Sequence, residues 1–373
     1  MTKPVSLPLD SLHKEMGGHI TDFHGFLLPV RFSSITAECQ AVRTHAGLFD
    51  ISHMGRFIVK GSGAVDAVNR LMTSNLSAVS PGKALYGILS NESGGAIDDI
   101  MAYRFSDDRV DLVVNASNRE EDKRWIANHL PKGVSLEDPS PSHVGFALQG
   151  PRSGEILSLV ESLAVALPRR GALFLPAPGG DILVSRTGYT GEDGWEFFGP
   201  EHQVATVYRK ILSAGVPFGL KPCGLGARDL LRLEMGYPLY GQELTVATTP
   251  FDAGLGFAVS TKKGDFVGRK FLLDAEGNPL HHEDHRLLVG FSVKGRGIPR
   301  TDCIVSSAST GKVTGVVTSG GYSPAAGGGF GLAYVDRSFA EEFSLGAPAH
   351  VRIHEQSLPI VFRTRPFIQG GLN

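Results

Sequence analysis

Near residue 280 the sequence changes character, and that change constrains the fold more than any other feature. From Leu287 onward the chain runs as short strand-like segments separated by glycine and polar turns: Leu288-Val-Gly-Phe-Ser292, Thr314-Gly-Val-Val-Thr-Ser319, Gly331-Leu-Ala-Tyr-Val335 and His350-Val-Arg-Ile353. Evenly spaced short strands with little helix predict a small β-barrel or sandwich. Before that point helical and strand patterns mix. Gly63 to Asn75 places Val65, Val68, Leu71 and Met72 at helical spacing, and Glu201 to Gly215 does the same with Val204, Val207, Tyr208, Ile211 and Leu212. Each of these helices therefore buries one stripe. A stretch rich in strand formers runs from Ala84 to Asn115. The polar run Asp274 to Asp284 is the expected linker, and Pro324 to Gly329 reads as a turn. With 373 residues the chain exceeds what one core ordinarily supports, so an α+β protein of more than one domain is expected.

Composition excludes several classes. The formal net charge is −2, so no global basic field attracts nucleic acid or anionic membrane. The first ten residues lack the pattern of a secretory signal, and no apolar run approaches the roughly 20 residues that span a bilayer. The three cysteines, Cys39, Cys223 and Cys303, are far apart and form no metal pair or disulfide framework; a reducing cytoplasm is expected. No zinc spacing, Ser-His-Asp order or phosphate loop is present, so no metal is expected.

Three stretches interrupt otherwise regular patterns with polar residues. The first, Gly94 to Ser117, reads as a β-hairpin turning at Asp107-Asp108. Strand alternation points Asp98 and Asp99 to opposite faces, which argues against a two-carboxylate dyad. A two-residue turn sets Ile100 opposite Asn115 and Asp98 opposite Ser117, so Asp98 and Asn115 are expected to share one face, with Met101, Tyr103 and Phe105 on the other. An Asp beside an Asn on a partly apolar face suits a polar heterocycle; an Asp-rich strand start capped by local bonds is the plainer alternative. The second stretch is Arg186-Thr-Gly-Tyr-Thr-Gly-Glu-Asp-Gly-Trp-Glu196. Its glycines allow close approach of a ligand, and a carboxylate at Glu196 suits a pair of parallel N–H donors. A glycine-rich hairpin with a solvated Glu fits it equally. The third runs from Lys221 to Glu243 and contains a helix from about Gly226 to Met235, with Arg228 and Arg232 on one face. Arginine's fork suits carboxylates, while an ion-pair face with Asp229 and Glu234 is the structural alternative. His53, beside Met54, reads first as a hydrogen-bonded structural histidine.

Together these stretches resemble the glycine cleavage T-protein family. The matching motifs are Asp22-Phe-His-Gly25, Arg43-Thr-His-Ala-Gly-Leu-Phe-Asp-Ile-Ser-His-Met-Gly55, Gly94-Gly-Ala-Ile-Asp-Asp99, Thr187-Gly-Tyr-Thr-Gly-Glu-Asp-Gly194 and Gly224-Leu-Gly-Ala-Arg-Asp-Leu-Leu-Arg-Leu-Glu234. They fall in order across nearly the whole chain. The resemblance implies a three-lobed architecture around a central cavity. Two α/β lobes would lie within residues 1–280, one of them inserted at about 55–140, and a small C-terminal β-barrel would span 285–373. It implies an aminomethyltransferase that moves a methylene from aminomethyl-dihydrolipoyl H-protein to tetrahydrofolate, releasing ammonia. The co-substrate would be tetrahydrofolate, and the lipoyl group would arrive on the partner H-protein. By position, Asp98 matches the family's catalytic aspartate and Glu196 and Arg228 its folate contacts. Asn115, Tyr86, Tyr189 and Met54 match pocket positions.

Two departures stand out. The family often contacts folate near its C-terminus, but Arg363 to Asn373 does not align cleanly with that contact, and Arg365 is the candidate substitute. Asp252 stands where relatives commonly have Glu. Two other roles share such a scaffold. A folate-binding iron–sulfur maintenance protein would carry a cysteine before Gly-Gln-Glu, whereas this chain has Gly236-Tyr-Pro-Leu-Tyr-Gly-Gln-Glu243. A tetrahydrofolate-dependent demethylase of a sulfonium or N-methyl substrate differs in its donor alone.

Overall fold

The structure, a computed structural model, describes residues 3–370. The chain forms two compact units. One holds the chain up to Gly87 together with Asp99–Leu231, and the other holds Ile88–Asp98 with Arg232–Gln369. Among the described residues no helix is long and apolar enough to cross a membrane.

A six-stranded sheet anchors the first unit. Its strands lie in the order Ala172–Leu175, Ile182–Ser185, Gly194–Pro200, His143–Gln149, Gly47–Asp50 and Lys221–Cys223. The helix Glu201–Gly215, with the limits expected from its spacing, packs its apolar stripe onto this sheet. Phe146 and Phe197 stack with centroids 4.5 Å apart, and Tyr208 meets Phe146 edge-on at 5.5 Å. On the helix Ile35–Thr44, the buried Glu38 carboxylate accepts from the amides of Phe32 and Ser33 at 2.7 Å and of Gly224 at 2.9 Å. The last of these bonds sets where the helix Leu225–Glu234 begins.

A five-stranded sheet follows the order Lys83–Ser90, Ala96–Ser106, Arg109–Val114, Gly55–Lys60 and Ser135–Glu137. The hairpin at its centre turns where expected, and Ser106 pairs with Arg109. Its register then slips by one, pairing Arg104 with Val110, Tyr103 with Asp111 and Met101 with Val113. Phe105 is the extra residue of this β-bulge. Its ring packs on Phe174 at 4.3 Å, and the Arg109 guanidinium covers Phe174 at 4.4 Å. The shared face expected for Asp98 and Asn115 is therefore wrong. The Asn115 amide donates instead to Asp99, to Oδ1 at 2.8 Å and to the carbonyl at 3.2 Å.

The second unit contains a closed barrel ordered Arg286–Val293, Gly328–Asp336, Val313–Ser323, Ile304–Ser307, Ala349–Ile353 and Gln356–Arg363. Phe291, Val305, Val317, Val335, Val351 and Ile360 fill it, and Phe339 and Phe343 of the helix Arg337–Ser344 pack against them. Gly315 is required by close strand approach, because a Cβ there would lie 2.3 Å from the Tyr334 carbonyl oxygen. Segment 274–284 contains neither helix nor strand, yet Asp274 caps Asn278 and His282 stacks on Phe271 at 4.0 Å.

Arg232 is nearly fully buried in this unit. It donates to Glu243 at 3.0 Å, Ser319 at 2.9 Å and the Tyr237 carbonyl at 3.0 Å. Arg232 thus has an ion-pair partner in Glu243, which lies outside this helix and is neither of the expected Asp229 and Glu234. Arg232→Met strands a buried carboxylate and should cost about 3–5 kcal/mol, whereas Arg232→Met combined with Glu243→Leu should recover most of that loss. Chemical denaturation of the three proteins checks this, and equal stability of the single and double variants would refute it.

Candidate functional site

Met54, Tyr86, Asn115, Tyr189, Glu196 and Arg228 all belong to the first unit, and Asp99 joins them. Asp98 lies in the other unit and is fully buried, on the strand face that carries the buried Ile100 and Ala102. Asp99 is half-buried, and both its carboxylate oxygens have donors, Asn115 on Oδ1 and the Tyr86 hydroxyl on Oδ2 at 3.2 Å. Two donors at opposite corners fix the carboxylate plane. Asp99, Met101 and Tyr103 alternate onto one face of the strand, so Asp99 and Tyr103 stand roughly 13 Å apart along it.

Glu196 lies on the strand Gly194–Pro200, directly opposite Ser185 and Ala147. The Thr187 hydroxyl donates to its Oε2 at 2.5 Å. The loop that carries Thr187 and Tyr189 is held from two sides. Gln149 donates to the Thr187 carbonyl at 3.1 Å and accepts from the Thr190 hydroxyl at 2.9 Å. Arg43 donates to the Thr190 carbonyl at 2.6 Å and to Glu192 at 2.8 Å. A Cβ on Gly188 would lie 1.9 Å from Gln149 Oε1. The close approach expected of a ligand at this glycine belongs to a protein side chain.

Arg228 projects from the helix Leu225–Glu234 over the Tyr189 ring, 5.0 Å from its centroid. Burial lowers the guanidinium's pKa, and the neighbouring Glu196 and Tyr189 oppose that shift. Its Nη1 is buried with no protein partner among the described residues. His53 is also buried and lies edge-on to Phe23 at 5.6 Å, and its Nδ1 has no partner either. Burial first, and then the charge of Arg228, push its pKa down to about 3. The imidazole beside Arg228 is thus neutral at physiological pH. Sequence reasoning left His53 as structural and missed Asp99, Thr187, Ser185 and Tyr103.

Arg365 and Asp252 belong to the other unit. Arg365 donates to the Ala253 carbonyl at 3.2 Å. Asp252 accepts from the Thr249 amide and hydroxyl and contacts His285 Nδ1 at 2.8 Å, so its short carboxylate serves a local turn. Residues 371–373 of the C-terminal segment lie outside the described residues. Among the described residues no cluster of His, Cys, Asp or Glu is placed to hold a metal ion.

His53 and His143 have folded-state pKa values lowered to about 3 and about 4, both by burial first and a neighbouring arginine second. The unfolded chain, with histidine near 6.5, then binds protons more readily than the folded one. Their contribution to stability is complete above about pH 6.5 and is lost as pH falls toward these folded values. Imidazole NMR should show neither ring protonating between pH 8 and pH 5. A midpoint above pH 5.5 for His53 would remove it from this buried setting.

The family model of the GCVT N-terminal domain matches residues 9–263, and that of the glycine cleavage T-protein C-terminal barrel domain matches 286–369. The chain is 41% identical to an aminomethyltransferase of Bacillus subtilis, over 96% of this chain and 98% of that one. It is 40% identical to an aminomethyltransferase of Halalkalibacterium halodurans over the full length of both. A crystal structure of the glycine cleavage system aminomethyltransferase T from Bartonella henselae superimposes with a TM-score of 0.87 at 30% identity, covering 98% of each chain.

Proposed function

The chain belongs to the glycine cleavage T-protein family, and we infer that it is a tetrahydrofolate-dependent aminomethyltransferase whose folate site is built from Glu196, Arg228 and Asp99. The observation that carries this reading is the relation between Glu196 and Arg228. They lie close enough to influence each other's charge, yet no hydrogen bond joins them among the described residues. Two opposite charges held near each other but unjoined fit a ligand edge that bonds to both. The aminopyrimidinone edge of tetrahydrofolate is such an edge, with two N–H donors beside a carbonyl. Glu196 accepts the donors, and the unpartnered Arg228 Nη1 donates to the carbonyl oxygen. Tyr189 holds the guanidinium by its ring face, and Met54 and Tyr86 line the pocket.

Bound tetrahydrofolate would supply N5 and N10, which both bond to the methylene as its bonds to nitrogen and to the lipoyl sulfur break, releasing ammonia and the reduced lipoyl thiol on H-protein. Asp99 orients the folate and holds the proton exchanged near N5, with Tyr86 and Asn115 fixing the carboxylate. This role was expected of Asp98. We assign it to Asp99, and the shifted register and its hydrogen bonds with Asn115 and Tyr86 support that reading.

Asp99→Asn should lower turnover by about 10²-fold or more, the size of a lost general acid–base contribution, with tetrahydrofolate affinity within about tenfold. Asp98→Asn, if folded, should keep turnover within about threefold. The assay is release of ammonia and methylenetetrahydrofolate from aminomethyl-lipoyl H-protein. The opposite ranking would return the role to Asp98, and no ammonia release by the wild type would overturn the donor assignment.

A further inference from the structure

Behind the Glu196 carboxylate stands a group of three hydroxyls that the reading above does not use. Thr187 Oγ1 donates to Glu196 Oε2 at 2.5 Å, Ser185 Oγ lies 2.7 Å from Thr187 Oγ1, and Tyr103 Oη lies 3.4 Å from Ser185 Oγ. Tyr103 and Ser185 are fully buried and Glu196 is 7% exposed. The fold accounts for the convergence. Ser185 pairs across from Glu196 on the neighbouring strand, Thr187 follows two residues later, and Tyr103 reaches in from the five-stranded sheet.

Each hydroxyl has one proton to donate, and its placement follows from the network. Thr187 spends its proton on the carboxylate, and the Ser185 hydroxyl, 2.7 Å from Thr187, donates to the Tyr103 phenol oxygen. Burial, and then the Glu196 charge, raise the phenol's pKa, so it stays protonated at neutral pH. Linked hydroxyls in a buried setting polarise each other. Thr187 takes one lone pair of Oε2; among the described residues Oε1 receives no protein donor.

We propose that Tyr103, Ser185 and Thr187 are positioning residues that fix the plane of the Glu196 carboxylate from behind and select ligands carrying a paired N–H edge. The selection works because the carboxylate's remaining lone pairs then face the ligand in one orientation. A ligand with both the ring N–H and the 2-amino group satisfies them, and one lacking the 2-amino group leaves an acceptor unmet. This proposal rests on the folate reading of the site.

The test is calorimetric binding of tetrahydrofolate and of its 2-desamino analogue to full-length Thr187→Val, Thr187→Ser, Tyr103→Phe and Glu196→Gln. Thr187→Val should weaken tetrahydrofolate about tenfold and the analogue less than about threefold, and Thr187→Ser should restore the wild-type ratio. Tyr103→Phe should give a smaller loss, about threefold, with the same preference. The ratio of the two affinities is taken within one folded variant, so a lower folded fraction does not alter it. Equal weakening of both ligands by Thr187→Val, or no rescue by serine, would reduce the hydroxyls to packing and overturn the proposal. Glu196→Gln separates the two levels. If it leaves tetrahydrofolate affinity unchanged, the folate reading fails and the hydroxyl group's role with it. If it weakens binding while Thr187→Val does not, the hydroxyl proposal alone fails.

Discussion

One extra residue in one strand decides which chemistry the candidate site presents. Side chains alternate along a strand, so a slip of one position exchanges everything beyond it between faces. Phe105 is that residue, held out of register by packing on Phe174 and by the Arg109 guanidinium over the same ring. Beyond it Asp99, Met101 and Tyr103 share a face, and Asp99 meets Asn115 and Tyr86. The same face places the Tyr103 hydroxyl against Ser185, on the strand next to the one that carries Glu196. A bulge held by aromatic stacking thus couples the position of the carboxylate to that of the hydroxyl group. Bulges recur beside functional sites for this reason, since they re-aim side chains without breaking the sheet.

The limits of sequence reading follow from the same point. Local periodicity found the helix Glu201–Gly215 at its observed limits and placed the hairpin turn correctly, because both depend on neighbours in the chain. Four of the barrel strands were visible as apolar runs. The strands Ile304–Ser307 and Gln356–Arg363 were not singled out: the first is short, and the second carries Pro359 and exposed positions in its middle. The slip at Phe105 was invisible because its cause, Phe174, lies on a different sheet. The glycines of the Thr187–Gly194 loop were read as room for a ligand, whereas at Gly188 the space is taken by Gln149, whose partner positions only the fold reveals.

Charge placement separates support from site. Several buried charges elsewhere in the fold have protein partners. Glu38 accepts three backbone amides, Arg56 joins Asp111 at 2.7 Å, Asp50 meets His13 at 2.7 Å and Arg232 joins Glu243. Each such group would be costly to strand, and each is provided for. Arg228 and Glu196 are not joined to each other by a hydrogen bond among the described residues. The guanidinium rests on a ring face and keeps an unpartnered nitrogen, while the carboxylate is bound from one side only.

The neighbourhood of Arg228 shows why that arrangement persists without a ligand. A buried cation with no partner would normally be expelled or neutralised. Here three features hold it. Tyr189 offers the negative face of its ring, Glu196 contributes opposite charge at longer range, and His53 stays neutral, adding no second positive charge. The loop that carries Tyr189 is in turn fixed by Arg43 and Gln149, and the helix that carries Arg228 starts where Glu38 holds the Gly224 amide. The satisfied buried charges therefore act as the frame that keeps an unsatisfied pair in place. The pair's unmet hydrogen bonds are what a ligand can gain on binding, at little further cost in ordering the site.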